Sequence, residues 1–126
     1  MIFGVGTDVL EIRRVEAIYQ RFGSRFAQRV LMPDELRLFN LSKRPVRFLA
    51  MHFAAKEAVV KALGTGFANG LWVRDTGIVA DSLGKPEIIF SDRGKVVCQR
   101  LGVGKGYVSL SDEAGLIVAM AVLERA

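Results

Sequence analysis

Residues 53–66 read FAAKEAVVKALGTG, and the fold turns on how this stretch is placed. Its alanines, leucine, lysines and glutamate favour a helix, and no proline or glycine interrupts them before Gly64, a natural helix stop. Working outward, Pro45 suits a first helical position, so the spacing predicts a helix from Pro45 to Leu63. At about 100° per residue, Val46, Leu49, Phe53 and Val60 share one apolar arc. Glu57 falls inside that arc, roughly 20° from Val46, with Lys61 at its edge and Lys56 projecting to the side. A carboxylate on an apolar face needs compensation. An i,i+4 pair with Lys61 would supply it, and so would a bound divalent cation. Spacing alone leaves both open.

Upstream, MIFGVGTD alternates in the manner of a short strand over residues 1–8, with Gly4 and Gly6 letting another backbone or a phosphate approach. Asp8 closes that strand and is the natural second carboxylate for a hard cation. From about Glu11 the period becomes helical through Ile12, Val15, Ile18, Tyr19 and Phe22. Gly23 breaks it, and Ser24 is placed to cap a second short helix carrying Phe26, Val30 and Leu31. Pro33, Asp34 and Glu35 open a third helix. After Gly70 the texture is β-like: WVRDTGIVAD and KPEIIFS flank a turn at SLGKP, SDRGKVVCQRLGVGKG reads as a short helix ending in a glycine-rich loop, and two apolar strands flank DEAG. The expected fold is α+β, with helices packed on a mostly antiparallel sheet, in one domain spanning residues 1–126.

Composition narrows the function. The chain of 126 residues is 51% hydrophobic, ample for a packed core, and no apolar run is long enough to span a bilayer. The opening MIFGVGTDVLEIRR sets apolar residues before its positive charges, the wrong order for a secretory signal, so a cytoplasmic location is expected. A single cysteine, Cys98, excludes an internal disulfide, and a single histidine, His52, argues against a zinc site. Eighteen Lys and Arg against 13 Asp and Glu leave a net charge of +5. Such a balance favours anionic partners: nucleic acid, an acidic protein or a phosphorylated small molecule. Against nucleic acid, the aromatics are mostly phenylalanines at core spacing, and GVGKGY lacks the ending of a phosphate loop. No nucleic acid and no membrane are expected as partners.

The segments GVGTDVLEI (4–12), RFLAMHFAAKEAVVKALGTG (47–66), NGL (69–71), LGKPEI (83–88) and VSLSDEAGLIVAMAVLE (108–124) occur in this order. Together they resemble the holo-acyl-carrier-protein synthases, the small bacterial class of 4′-phosphopantetheinyl transferases. The resemblance implies a 4′-phosphopantetheinyl transferase-like fold and a homotrimer with sites between subunits. It implies transfer of the phosphopantetheine arm of coenzyme A to a serine of apo acyl carrier protein, with release of adenosine 3′,5′-bisphosphate. It makes Asp8 and Glu57 the Mg²⁺ ligands, and Lys61 a contact to the pyrophosphate. For coenzyme A it points further to Arg44 and Arg47, to the backbone at Gly64 and Gly66, and to the turn Lys85-Pro86. Arg13, Arg14, Arg21 and Arg25 form the surface expected to meet the acidic carrier protein. A protein that kept the fold and coenzyme A binding but lost transfer is the alternative. The chain departs from the family pattern at His52, where many members carry arginine, and at Tyr107 and Asp112, where many carry histidine. A neutral imidazole at 52 would weaken a phosphate contact near neutral pH, since imidazole titrates around 6.5.

Overall fold

The computed structural model describes residues 1–126. They form strand β1 (Ile2–Glu11), helices α1 (Ile12–Phe22), α2 (Ser24–Val30), α3 (Pro33–Phe39) and α4 (Pro45–Leu63), and a short helical turn at Val73–Asp75. Strands β2 (Thr76–Ala80) and β3 (Pro86–Phe90), helix α5 (Asp92–Leu101) and strands β4 (Val103–Glu113) and β5 (Leu116–Arg125) follow. The expected α+β class is what is found, with the antiparallel pairing divided into two ladders. Strand β5 lies between β1 and β4, while β2 and β3 form a separate hairpin.

Strand β1 runs three residues past Asp8 because its register with β5 continues from Asp8↔Ala119 to Glu11↔Leu116. The GVGKG segment is no loop. It begins β4 at Val103, with a register irregularity before Gly106. The DEAG turn behaves as its residues demand: Ala114 and Gly115 take φ of 54° and 78°, the pair of positive values a tight two-residue hairpin needs. Gly23, also at positive φ, ends α1 and opens α2, so Ser24 is the first residue of α2 rather than its cap.

The inner face of the sheet carries Ile117, Ala119, Ala121 and Leu123 of β5, none with any exposure, and α4 packs across it. Gly4 and Gly6 lie on the same inner face as Asp8, since alternate residues of β1 share a side. A Cβ at Gly4 would run into the carbonyl oxygen of Ala62, and one at Gly6 into that of Ala58 and to within 2.7 Å of the Ala62 nitrogen. The glycines therefore let a helix backbone lie directly on the strand.

Helix α4 is buried nearly all round. Leu49, Ala50, His52, Ala54, Ala55, Lys56, Ala58, Val59, Val60, Ala62 and Leu63 are all buried. Lys56 does not project to the side into solvent; it is fully buried. A wheel with one apolar face misplaces it because α1 and α3 and strand β2 cover the flanks of α4 that the wheel leaves to water.

What meets Lys56 is Glu35 of α3, equally buried. One Glu35 oxygen accepts from Lys56 Nζ at 2.5 Å and from the Met32 N–H at 3.0 Å. The other meets His52 Nδ1 at 2.5 Å and accepts from the Ile78 N–H at 3.1 Å. Lys56 also donates to the Thr76 carbonyl. Burial alone would raise the Glu35 carboxyl, but His52 and Lys56 hold it below the ordinary glutamate value. Burial pushes the Lys56 ammonium below the lysine range, and Glu35 opposes that shift. Gly77 is glycine for the same reason: a Cβ there would collide with the Glu35 carboxylate.

The outer face of the same sheet is bare. Val118 and Met120, on the central strand, are 41% and 45% exposed, and Val5, Val9, Tyr107 and Leu116 surround them.

Replacing Gly6 by alanine is expected to cost about 3 kcal/mol or more, lowering the melting temperature by roughly 10 °C. A thermal melt matching the parent protein would show that β1 does not carry α4 in this way.

Candidate active site

Asp8 reaches the site from the inner face of β1, and Glu57 from α4 where that helix crosses β1. Both line one cavity of about 400 Å³, with Leu10, Val15, Ile18, Phe26 and Phe53 forming its apolar wall and Arg14 at its side. The Lys61 ammonium turns toward β1. It donates to the Thr7 carbonyl at 3.0 Å and lies 3.4 Å from Asp8 Oδ1. The i,i+4 pairing of Glu57 with Lys61 is thus not the arrangement adopted. Burial, then the negative charge of Asp8, raise the Glu57 carboxyl above its ordinary value, and Lys61 offsets this in part. Two carboxylates facing one cavity, one of them strained in its ionised form, match the donor set that Mg²⁺ takes when water and phosphate complete its shell. No cluster of three or more metal-ligating side chains exists to suggest a cation held by protein alone.

The residues expected to hold coenzyme A fall into two groups. Lys61, Gly64 and Gly66 are at the carboxylate end of α4. There Gly64 (φ 80°) closes the helix and Gly66 (φ 59°) follows, both with open space around them. Arg47, Lys85 and Pro86 line a second cavity of about 560 Å³ at the other end of α4, with Phe48, Met51, His52, Ile78, Ser109 and Leu110. Ten residues of helix separate Arg47 from Glu57, a rise of about 15 Å. Arg44 is the exposed residue that precedes α4. The Arg47 guanidinium is paired with Asp112 of β4.

The arginines expected at a partner surface are all exposed. Arg13 is paired with Glu11 at 2.6 Å. Arg14 borders the carboxylate cavity. Arg21 sits over the Phe22 ring at 5.2 Å. Arg25 lines an apolar groove with Ile18, Phe22, Phe26 and Arg29. Ile18 and Phe26 belong to both the groove and the carboxylate cavity, so the two are continuous. Phe22, on the apolar face of α1, is 46% exposed.

The pattern of the 4′-phosphopantetheinyl transferase superfamily (ACPS) matches residues 4–121. The chain belongs to this superfamily, among its holo-[acyl-carrier-protein] synthases. It is 46% identical to the holo-[acyl-carrier-protein] synthase of Hamiltonella defensa over 98% of each chain. Its fold superposes on the crystal structure of the Neisseria meningitidis holo-[acyl-carrier-protein] synthase with a TM-score of 0.94 and 39% identity, over 99% of this chain and 100% of that one. The Helicobacter pylori synthase, solved in complex with coenzyme A, gives a TM-score of 0.83 at 30% identity, over 95% of this chain and 99% of that one.

Several residues bordering these sites carry little local signal in the sequence. Phe53, which its spacing sets on the apolar arc of α4, walls the carboxylate cavity with Phe26. The Glu35–Lys56–His52 network joins residues of two helices that local spacing does not connect. Its one signal was the alanine-rich, all-round apolar character of α4, which leaves no solvated side for Lys56 or His52. The Arg47–Asp112 pair joins residues 65 apart in sequence, and nothing local announces it.

Because the fold disfavours ionised Glu57, its charge destabilises the metal-free protein above its raised pKa, and that penalty fades as pH falls. Glu57→Gln is therefore expected to raise the melting temperature in chelator near neutral pH, by roughly 1–3 °C for a partly exposed carboxylate. A lower melting temperature than the parent would mean that Glu57 is held by a stabilising partner instead.

Proposed function

We propose that the chain transfers the 4′-phosphopantetheine arm of coenzyme A to a serine hydroxyl of an apo acyl carrier protein, with Mg²⁺ and with release of adenosine 3′,5′-bisphosphate. The convergence of Asp8 and Glu57 on one cavity, with Lys61 beside them, carries this reading. Membership of the synthase family and the coenzyme A-bound Helicobacter pylori relative support it.

Asp8 and Glu57 are the residues that would hold Mg²⁺. Bound there, it would offset the negative charge of the pyrophosphate and of the departing phosphate. Lys61, which donates to the Thr7 carbonyl and lies beside Asp8, adds a positive charge toward the same oxygens. The carrier serine oxygen forms a new bond to the phosphorus bearing the pantetheine arm. The bond from that phosphorus to the bridging oxygen breaks, and adenosine 3′,5′-bisphosphate leaves with the electron pair. The serine proton passes to a base in the cavity or to solvent.

The same reading gives a role to the second cavity and to the bare sheet face. The pyrophosphate and the 3′-phosphate of coenzyme A are separated by little more than one ribose. Glu57 and Arg47 are about 15 Å apart along α4. One nucleotide does not bridge that span with its pyrophosphate at Asp8. A second copy would bring its Arg47, Lys85 and Pro86 to the carboxylates of the first. The row Leu116, Val118 and Met120 with Val5, Val9 and Tyr107 is an apolar surface suited to such an assembly. We take it as the contact of a homotrimer, each chain acting as one catalytic domain, working in the cytoplasm. Arg14, Arg21 and Arg25, with Ile18 and Phe22, then form the docking surface for an acidic carrier beside the carboxylate cavity.

Incubating the protein with coenzyme A, Mg²⁺ and apo acyl carrier protein should add the mass of one phosphopantetheine to the carrier, and chelator should prevent it. Asp8→Asn and Glu57→Gln should each lower turnover by about 100-fold or more while remaining folded. Full activity in either variant would remove that residue from the metal site. Coenzyme A binding without mass gain would leave a binding protein of this fold.

Replacing Arg14 and Arg21 together by alanine should raise the KM for the carrier roughly 10-fold, with a weakened salt dependence and little change for coenzyme A. An equal loss for both substrates would place these arginines elsewhere in the mechanism.

A further inference from the structure

The transfer reaction makes no use of the buried network on the wall of the Arg47 cavity. Its charges can be counted. Glu35 and Lys56 are both fully buried and cancel one another. His52 is thus not needed for neutrality, and the network carries either no net charge or +1, according to the state of that imidazole. The Glu35 carboxylate is held ionised, so the contact at Nδ1 requires a proton on Nδ1. The nitrogen left to gain or lose a proton is Nε2. The ring lies flat on Phe48, with centroids 3.8 Å apart and planes at 14°, an aromatic face that accepts a cation.

His52 is mostly buried, and it borders the cavity together with Arg47 and Lys85. The charged groups around it are few. Glu35 comes from α3, Lys56 and Arg47 from α4, and Lys85 from the turn between β2 and β3. From β4 comes Asp112, which is engaged with Arg47. Strand β2 contributes the Thr76 carbonyl and the Ile78 N–H to the network.

We propose that His52 is a proton-dependent specificity residue, whose Nε2–H joins Arg47 and Lys85 in binding a phosphate monoester. The inference rests on the reading that the nucleotide end of coenzyme A occupies this cavity, whose phosphate monoester is the one at the ribose 3′ position. A charge-assisted bond from a protonated imidazole then forms with the phosphate and not with a ribose hydroxyl. Binding the phosphate and protonating His52 favour each other.

His52 is the only histidine of the chain, so its imidazole C–H resonance can be followed by NMR without assignment of the rest. Titrating the protein from about pH 5 to about pH 8, its midpoint should rise by roughly one unit or more when coenzyme A is bound, and should stay in place with 3′-dephospho-coenzyme A. Calorimetry gives the second measurement. Coenzyme A affinity should fall about 3- to 10-fold from pH 6 to pH 8 beyond the change seen for His52→Gln, in which the phosphate's own ionisation is the only contribution. An unmoved His52 midpoint in the saturated complex overturns the proposal, as does an equal shift with the dephospho compound. Failure of coenzyme A to bind at all would instead remove the reading of the cavity on which it stands.

Discussion

The approach of the α4 backbone to β1 governs the rest of this structure. The carbonyls of Ala58 and Ala62 lie where Gly4 and Gly6 offer no side chain, and any larger residue would lift the helix off the strand. Asp8 is two residues beyond Gly6 on the same face, and Glu57 and Lys61 flank Ala58 on the helix. Closing the gap between the two backbones therefore brings two acids and a lysine together without any element dedicated to that purpose. The cost is a half-buried carboxylate beside a second one: burial, then the charge of Asp8, raise the Glu57 carboxyl above its ordinary value and disfavour its ionised form.

The opposite flank of α4 is fixed by a different device. A buried ion pair is poor evidence for stability, since removing Glu35 and Lys56 from water costs about as much as their attraction returns. What the Glu35 carboxylate provides is direction. It gathers an N–H from the start of α3, an N–H from β2, and two side chains from α4, one turn apart. Lys56 is thereby drawn inward on one flank while its neighbour Glu57 turns to β1 on the other. Rotating α4 to expose Lys56 would leave a buried carboxylate with fewer donors, a loss of several kcal/mol by general experience.

How far the sequence reveals this depends on the range of the interaction. Helices α1 and α4, the hairpin turns and the strand character of β1 follow from local period and from glycine and proline, and the structure has them close to where these place them. Asp8 is legible as the acid closing the first strand and Glu57 as the acid inside the apolar arc of the long helix, and the family resemblance carries the rest of that assignment. Lys56 is not legible, because a helical wheel assumes one wet side. The all-round burial of α4 depends on α1, α3 and β2, which the wheel does not contain. The pairing of Arg47 is not legible for the same reason: its partner Asp112 arrives from β4, near the other end of the chain.

Helix α4 also carries two of its charges, those of Arg47 and Glu57, against its own dipole, while Lys61 in its last turn runs with it. Arg47 lies in its first turn, where the backbone presents positive N–H groups and no acidic side chain of the helix answers them. Glu57 lies toward the carbonyl end. Local propensity would place these signs the other way round. Arg47 is answered by a charge from outside the helix, Asp112 of β4, and Glu57 by the helix's own Lys61 in its last turn, whose ammonium is drawn to β1 beside Asp8. An anionic nucleotide at one end and a divalent cation at the other would relieve the same two mismatches. On the proposed function, the residues that make α4 a less comfortable helix are the ones that would hold such a pair of ligands.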